Sequence, residues 1–137
     1  MPFVLDASVT AAWLLPDEAN PMTERILDLL RIDEALVPAI WWFEIRNLLL
    51  IGERRHRLLP IDTADILKTL ARYPITADLV PDQDEILRLA RLYYMTVYDA
   101  AYVELEARRR IPLATLDWRM AAAADAEIVA RVDGSRA

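Results

Sequence analysis

Phe3-Val4-Leu5-Asp6 is three apolar residues followed at once by an acid. An apolar run without alternation is the pattern of a strand buried on both faces. A carboxylate at the tip of such a strand has little structural use there. The pattern recurs along the chain. Ala35-Leu36-Val37-Pro38 reads as a second strand, Ile75 to Val80 as a third, and Pro112-Leu113-Ala114-Thr115 as a fourth, with Asp117 just beyond. Glu127-Ile128-Val129 reads as a fifth strand, at the edge.

Helical stretches separate these runs. Ser8 or Thr10 caps a short helix to Leu15, closed by Pro16. Asn20 before Pro21 opens a helix to Arg31. Ala39 to about His56 reads as one long helix, and Pro60 with Asp62 starts another to Arg72. Asp82 with Glu85, and Thr96 with Asp99, have the spacing of capping boxes for helices ending near Tyr94 and Arg110. A short helix is expected from Trp118 to Ala124. Strands alternating with helices imply an α/β fold whose parallel sheet is covered on both faces. The 137 residues suit a single domain, placed at 1–132 with a loose tail over 133–137.

Composition removes several chemistries. There is no cysteine and one histidine, His56, so thiol nucleophiles, thiolate-bound zinc and multi-histidine metal centres are excluded. The two glycines, Gly52 and Gly134, stand alone and cannot make a phosphate-cradling loop. No apolar run is long enough to span a membrane, and no basic segment precedes the first apolar run, so a cytoplasmic protein is expected. With 16 bases against 22 acids the net charge is −6, which on bulk charge repels nucleic acid.

Ligands of open α/β sheets sit beyond the carboxyl ends of the strands. Asp6 and Asp117 follow strands directly. Glu44 lies on the long helix with Ile40, Leu48 and Ile51 within about 40° of it, an acid centred on an apolar stripe. Asn47 stands beside it, placed to hydrogen-bond it. The plain alternative is an arginine partner in the core. Asp99 opens a helix, where its plain role is capping with Thr96, and Asp117 has a similar role open to it. An α/β fold brings these four acids to one rim. Four carboxylates in one pocket repel, and a hard divalent cation with oxygen ligands relieves this. Mg²⁺ there would let an acidic protein accept a polyanion and would activate water for phosphodiester hydrolysis.

These residues carry a family resemblance. Val4-Leu5-Asp6-Ala7-Ser8-Val9 followed by Trp13-Leu14-Leu15-Pro16-Asp17-Glu18 resembles the opening of PIN-domain proteins of the VapC toxin type. Pro38 to Leu49, with Glu44 and Asn47, is similar to their second block, Tyr98-Asp99-Ala100-Ala101-Tyr102 to their third, and Leu113-Ala114-Thr115-Leu116-Asp117 to their fourth. All four occur in order across nearly the whole chain. The resemblance implies a PIN-like three-layer α/β/α sandwich with a parallel sheet of four or five strands. It implies an endoribonuclease, a hydrolase using Mg²⁺ or Mn²⁺, acting as the toxin of a toxin–antitoxin pair. The family's catalytic acids map onto Asp6, Glu44, Asp99 and Asp117. Asp6, Asp99 and Asp117 would bind the metal directly or through water, and Glu44 either ligates or positions water. Ser8 and Thr115 match positions that support those acids by hydrogen bonding. Such proteins are usually homodimers, silenced by a small antitoxin lying over the active groove. The stretch from Leu58 to Ile75 carries nothing over.

Partner surfaces are less sharply marked. Trp42, Ile45 and Leu49 read as a contact for an antitoxin helix or second subunit, or as a face covered by the same chain. Arg54, Arg55 and Arg57 offer guanidinium forks for RNA phosphate, or a solvated helix end. Glu106 and Arg110 have the spacing of a surface ion pair. A receiver-like phosphoacceptor needs a late lysine, and Lys68 is the only lysine. A haloacid-dehalogenase-like phosphatase needs a second aspartate where Ser8 stands. A catalytically inactive PIN-like domain serving as a protein- or RNA-binding module is the remaining alternative.

Overall fold

The computed structural model describes residues 1–15 and 20–133. Four of the apolar runs become strands: β1 (Phe3–Leu5), β2 (Ala35–Pro38), β3 (Ile75–Asp78) and β4 (Leu113–Ala114). They pair in parallel in the order β3-β2-β1-β4. Val4 sits between Leu36 on one side and Leu113 on the other, and β2 pairs with β3 from Ala35–Ile75 to Pro38–Asp78. The chain therefore adds β2 and β3 on one side of β1 and returns to place β4 on the other. Between β1 and β4 the strand order reverses, which is where open α/β sheets bind ligands.

The helices sort onto two faces. After β1 come α1 (Ala7–Leu14) and α2 (Pro21–Leu29), and after β2 come α3 (Ile40–Arg54) and α4 (Pro60–Leu70). After β3 come α5 (Gln83–Leu92) and α6 (Val97–Arg109), and after β4 comes α7 (Trp118–Asp133). α1 packs on α2 and α3, whereas α6 packs on α5, α7 and the sheet. Right-handed crossovers leading in opposite directions from β1 require this split. The result is a three-layer α/β/α sandwich around a core that includes Val4, Leu5, Val37, Trp41, Leu89, Tyr102 and Val103.

Capping chemistry was legible. Asn20 accepts from the Met22 and Thr23 amides, Asp82 from Glu85 and Thr96 from Asp99. α1 differs: its N-cap is Asp6, and Ser8, one residue inside, turns back to Asp6 rather than capping. Pro16, Asp17 and Glu18 lie outside the described residues, as do residues 134–137 of the expected tail. Asp133 itself still belongs to α7.

Three expectations need correction. The first is the fifth strand. Glu127, Ile128 and Val129 are helical, in the single helix α7. Ala121 to Ala124 offer no breaker and favour helix strongly. Glu127, 2% exposed, is tied to α5 by the Tyr93 hydroxyl at 2.6 Å and by the Arg88 guanidinium. The second is the helix face of α3. Its buried stripe is Trp41, Ile45, Leu49 and Gly52, spaced as one helical face. Ile45 and Leu49, 0% and 1% exposed, belong to the chain's own core and are not a partner contact. Trp42 is half-buried, packed edge-on against Trp41. The third is the Glu106–Arg110 pair. Glu106 is buried and faces Arg131 at 3.6 Å, while Arg110 ends α6 in a left-handed conformation, φ 56°.

Candidate active site

Asp6 anchors the site. It leaves β1 at the point of strand reversal, its amide donating to the Ala114 carbonyl of β4 at 3.0 Å. Its carboxylate is buried and accepts two hydroxyls on the same oxygen, Oδ2: Ser8 at 2.6 Å and Thr115 at 2.7 Å. Both hydroxyls are themselves held. The Ser8 Oγ accepts from the Leu116 amide at 3.0 Å, and the Thr115 Oγ1 from the Asp117 amide at 3.0 Å. This network stitches the start of α1 to the loop after β4 and sets the plane of the Asp6 carboxylate. The supporting places expected for Ser8 and Thr115 are thus the ones they occupy.

Asp117 caps α7, its Oδ1 accepting from the amides of Arg119 at 2.9 Å and Met120 at 3.3 Å. Capping uses one carboxylate oxygen of the two, so it does not compete with a role in the site. Asp99 lies in the first turn of α6. Glu44 lies near the start of α3, on the opposite face of the sheet. The Tyr102 hydroxyl of α6 donates to Glu44 Oε1 at 2.7 Å, joining the two helical layers over the sheet's end.

The acids act on one another electrically. Burial pushes the Asp6 carboxyl up and the Asp117 charge adds to this, while the Ser8, Thr115 and Ala7 hydrogen bonds pull it back. Burial raises Glu44, opposed by the Tyr102 hydroxyl and reinforced by the charges of Asp6 and Asp99. Burial raises Asp99, with Asp117 and Asp6 adding to it. The Tyr102 phenol is pushed far up by burial and by Glu44, so it stays a donor. Each of the four expected acids thus lies within electrostatic reach of at least two of the others, which gives this end of the sheet an acidic rim. Among the described residues none of them pairs with an arginine or lysine, so the alternative of a core arginine at Glu44 does not hold.

The donor set is all oxygen, which suits a hard divalent cation and no soft one. Among the described residues, however, no three acidic or histidine side chains stand close enough to make a ready-built metal cage. The acids lie near one another without forming such a cage. Mg²⁺ keeps several of its waters and needs only one or two direct carboxylates, so the open arrangement fits it.

Asn47 does not take its expected place. It is exposed, and the group bonded to Glu44 is Tyr102. Tyr102 was missed as a functional residue, although it stands three residues after Asp99, the spacing that shares a helix face. Arg54, Arg55 and Arg57 are exposed at the far end of α3, ten or more residues past Glu44 and so about 15 Å along the helix from it.

Residues 3–126 match the family model described as PIN domain. The chain is 33% identical over 125 residues to "Ribonuclease VapC3" of Pyrobaculum aerophilum, a match covering 88% of this chain and 93% of that protein. In three dimensions it is similar to the crystal structure of PAE2754 from Pyrobaculum aerophilum, with a TM-score of 0.67 at 21% identity over 90% of this chain and 84% of the other. That second likeness concerns the fold.

Proposed function

We propose, from the premise that the chain belongs to the PIN-domain family and is of the VapC type, that it is a divalent-metal-dependent endoribonuclease and the toxin of a toxin–antitoxin pair. The observation that carries this reading is the rim of four acids. Burial, reinforced by neighbouring carboxylate charges, raises Asp6, Glu44 and Asp99, and the Asp117 charge acts on Asp6 and Asp99. Among the described residues no basic side chain pairs with any of the four.

Asp6, Asp99 and Asp117 would hold Mg²⁺, with Mn²⁺ as a substitute. Bound there, the ion would supply charge for the scissile phosphate and acidify a water. Ser8 and Thr115 keep the Asp6 carboxylate in one orientation. Glu44 is the residue that positions the attacking water. Tyr102 occupies its Oε1, and its raised affinity for protons suits a proton acceptor. Water adds to phosphorus, its proton passes to Glu44, one phosphorus–oxygen bond to a ribose breaks, and the departing ribose oxygen takes a proton from solvent. The partners in this reading are RNA in the cytoplasm, a cognate antitoxin protein and a second copy of the chain. Among the described residues no helix is long and apolar enough to cross a membrane. Arg54, Arg55 and Arg57 lie too far from the acids for the scissile phosphate and serve flanking RNA only.

The test is to incubate cellular RNA with partner-free protein and map new ends. Cleavage should need Mg²⁺ or Mn²⁺, stop with excess EDTA, and fall on the order of a hundredfold or more in Asp6→Asn. Wild-type rates in that variant, or undiminished cleavage in EDTA, would overturn the reading.

A further inference from the structure

The start of α7 carries more than an acid. Trp118, next to Asp117, is 73% exposed. The other tryptophans are placed differently: Trp41 is fully buried, and Trp13 and Trp42 are half-buried. The Trp13 indole also donates to the Thr23 carbonyl. The Arg119 guanidinium lies over the Trp118 ring, 5.4 Å from its centre. Among the described residues Arg119 has no carboxylate partner.

A single exposed apolar ring is ordinary surface. Its position and company are what distinguish this one. It opens the helical turn that Asp117 caps, so it stands one residue from an acid of the site. The chain is net acidic and the rim is acidic, so attraction for a polyanion has to come from particular cations. Arg46, two residues from Glu44, is turned back onto its own helix, over the Trp42 ring and onto the Trp42 carbonyl at 3.1 Å. Arg54, Arg55 and Arg57 are remote. Among the described residues, Arg119 stands two residues from an acid of the rim with no carboxylate partner.

We propose that Trp118 and Arg119 form the seat for a nucleotide flanking the scissile phosphate. The indole stacks on an unpaired base, and the guanidinium, backed by the ring, contacts a neighbouring phosphate. This rests on the ribonuclease reading above and adds to it the residue pair that seats the flanking nucleotide. A base offers its face to an indole only when it is unstacked, so the nucleotide seated there is unpaired. Every base has such a face, so the seat tolerates sequence.

Two measurements test this. Initial rates on a single-stranded oligoribonucleotide separate KM from kcat. Tryptophan fluorescence of a Glu44→Gln protein, which keeps the three metal-holding aspartates, titrated with the same oligoribonucleotide in Mg²⁺, reads binding without cutting. Trp118→Ala should raise KM about tenfold and leave kcat within about twofold, with most of the loss recovered in Trp118→Phe. Fluorescence quenching by the oligoribonucleotide should disappear when Trp118→Ala is added. Arg119→Gln should lower the slope of log KM against log salt by about one. An unchanged KM in Trp118→Ala overturns the proposal. So does loss of binding to a partner protein with RNA kinetics unchanged, which assigns the pair to a protein interface. If the parent protein cuts no RNA while the oligoribonucleotide still quenches Trp118, the stacking stands and the hydrolytic reading falls.

Discussion

Asp6 is held by two hydroxyls that are each held by a backbone amide. A buried carboxylate stays oriented only when its partners have no other conformation to adopt. Glu44 is held more simply, among the described residues by the Tyr102 phenol. Tyr102→Phe keeps the ring that fills the core and removes that donor. Stability should fall by about 1 kcal/mol, whereas cleavage should fall roughly tenfold. Denaturant melts and single-turnover rates check the two halves separately, and an unchanged rate would remove Tyr102 from the site. At this scale Asp6 and Asp117 were legible because each follows a strand, and Ser8 and Thr115 because each stands two residues from one of those acids, although the contact between the two pairs spans 109 residues. Tyr102 was not, because its partner is 58 residues away. Asn47 has a helical spacing that fits Glu44, yet it faces solvent.

Among the elements, α7 shows how one buried acid decides local structure. The sequence Glu127-Ile128-Val129 has strand-like residues, and alone it reads as an edge strand. In the fold, Glu127 points to α5 and meets Tyr93 and Arg88, a contact only a helix continued from the alanine run provides. Glu127→Ala should therefore destabilise the protein by about 3 kcal/mol, since it strips a buried charged partner. Metal affinity should be unchanged, because α5 and the middle of α7 do not line the acid rim. Chemical denaturation and a metal titration on the same variant check this. A loss of metal affinity matching the loss of stability would mean that α7 and the site are coupled. The α3 stripe teaches the same lesson. Periodicity shows that the helix has a core face, but the choice between Ile40-Leu48-Ile51 and Trp41-Ile45-Leu49 depends on which side the sheet lies.

For the whole molecule, the acid rim costs stability once its carboxylates ionise. Asp6, Glu44 and Asp99 have folded-state affinities for protons above their unfolded ones. Their contribution to stability is fully present below the unfolded carboxylate range and is lost as pH rises through the raised folded values. Asp78 runs the other way. Its hydrogen bonds with Arg108 and Arg109 hold its carboxyl far below the usual range, so its contribution is present at neutral pH and lost in strong acid. Without metal, then, Asp99→Asn should raise the melting temperature at pH 8. With Mn²⁺ the wild-type protein should gain several degrees at saturating metal, as any ligand of the folded state alone requires. The gain should shrink toward about pH 4, where the ligands protonate, and Asp99→Asn should lack most of it. A wild-type melting curve indifferent to Mn²⁺ at pH 8 would leave the inactive binding module as the better reading.

The sequence by itself determined the class of fold, the four strands that carry the sheet and the caps that start most helices, and it singled out four acids that the fold brings within electrostatic reach of one another. Each of these is written within a few residues, in periodicity, breakers and the acid that ends a strand. Only the tertiary structure decided that the fifth apolar run is helix, which face of α3 is core, that Tyr102 holds Glu44, and that Arg108 is spent on Asp78. Those outcomes depend on contacts between residues far apart in the chain, whose free energies outweigh local preference and leave no local mark.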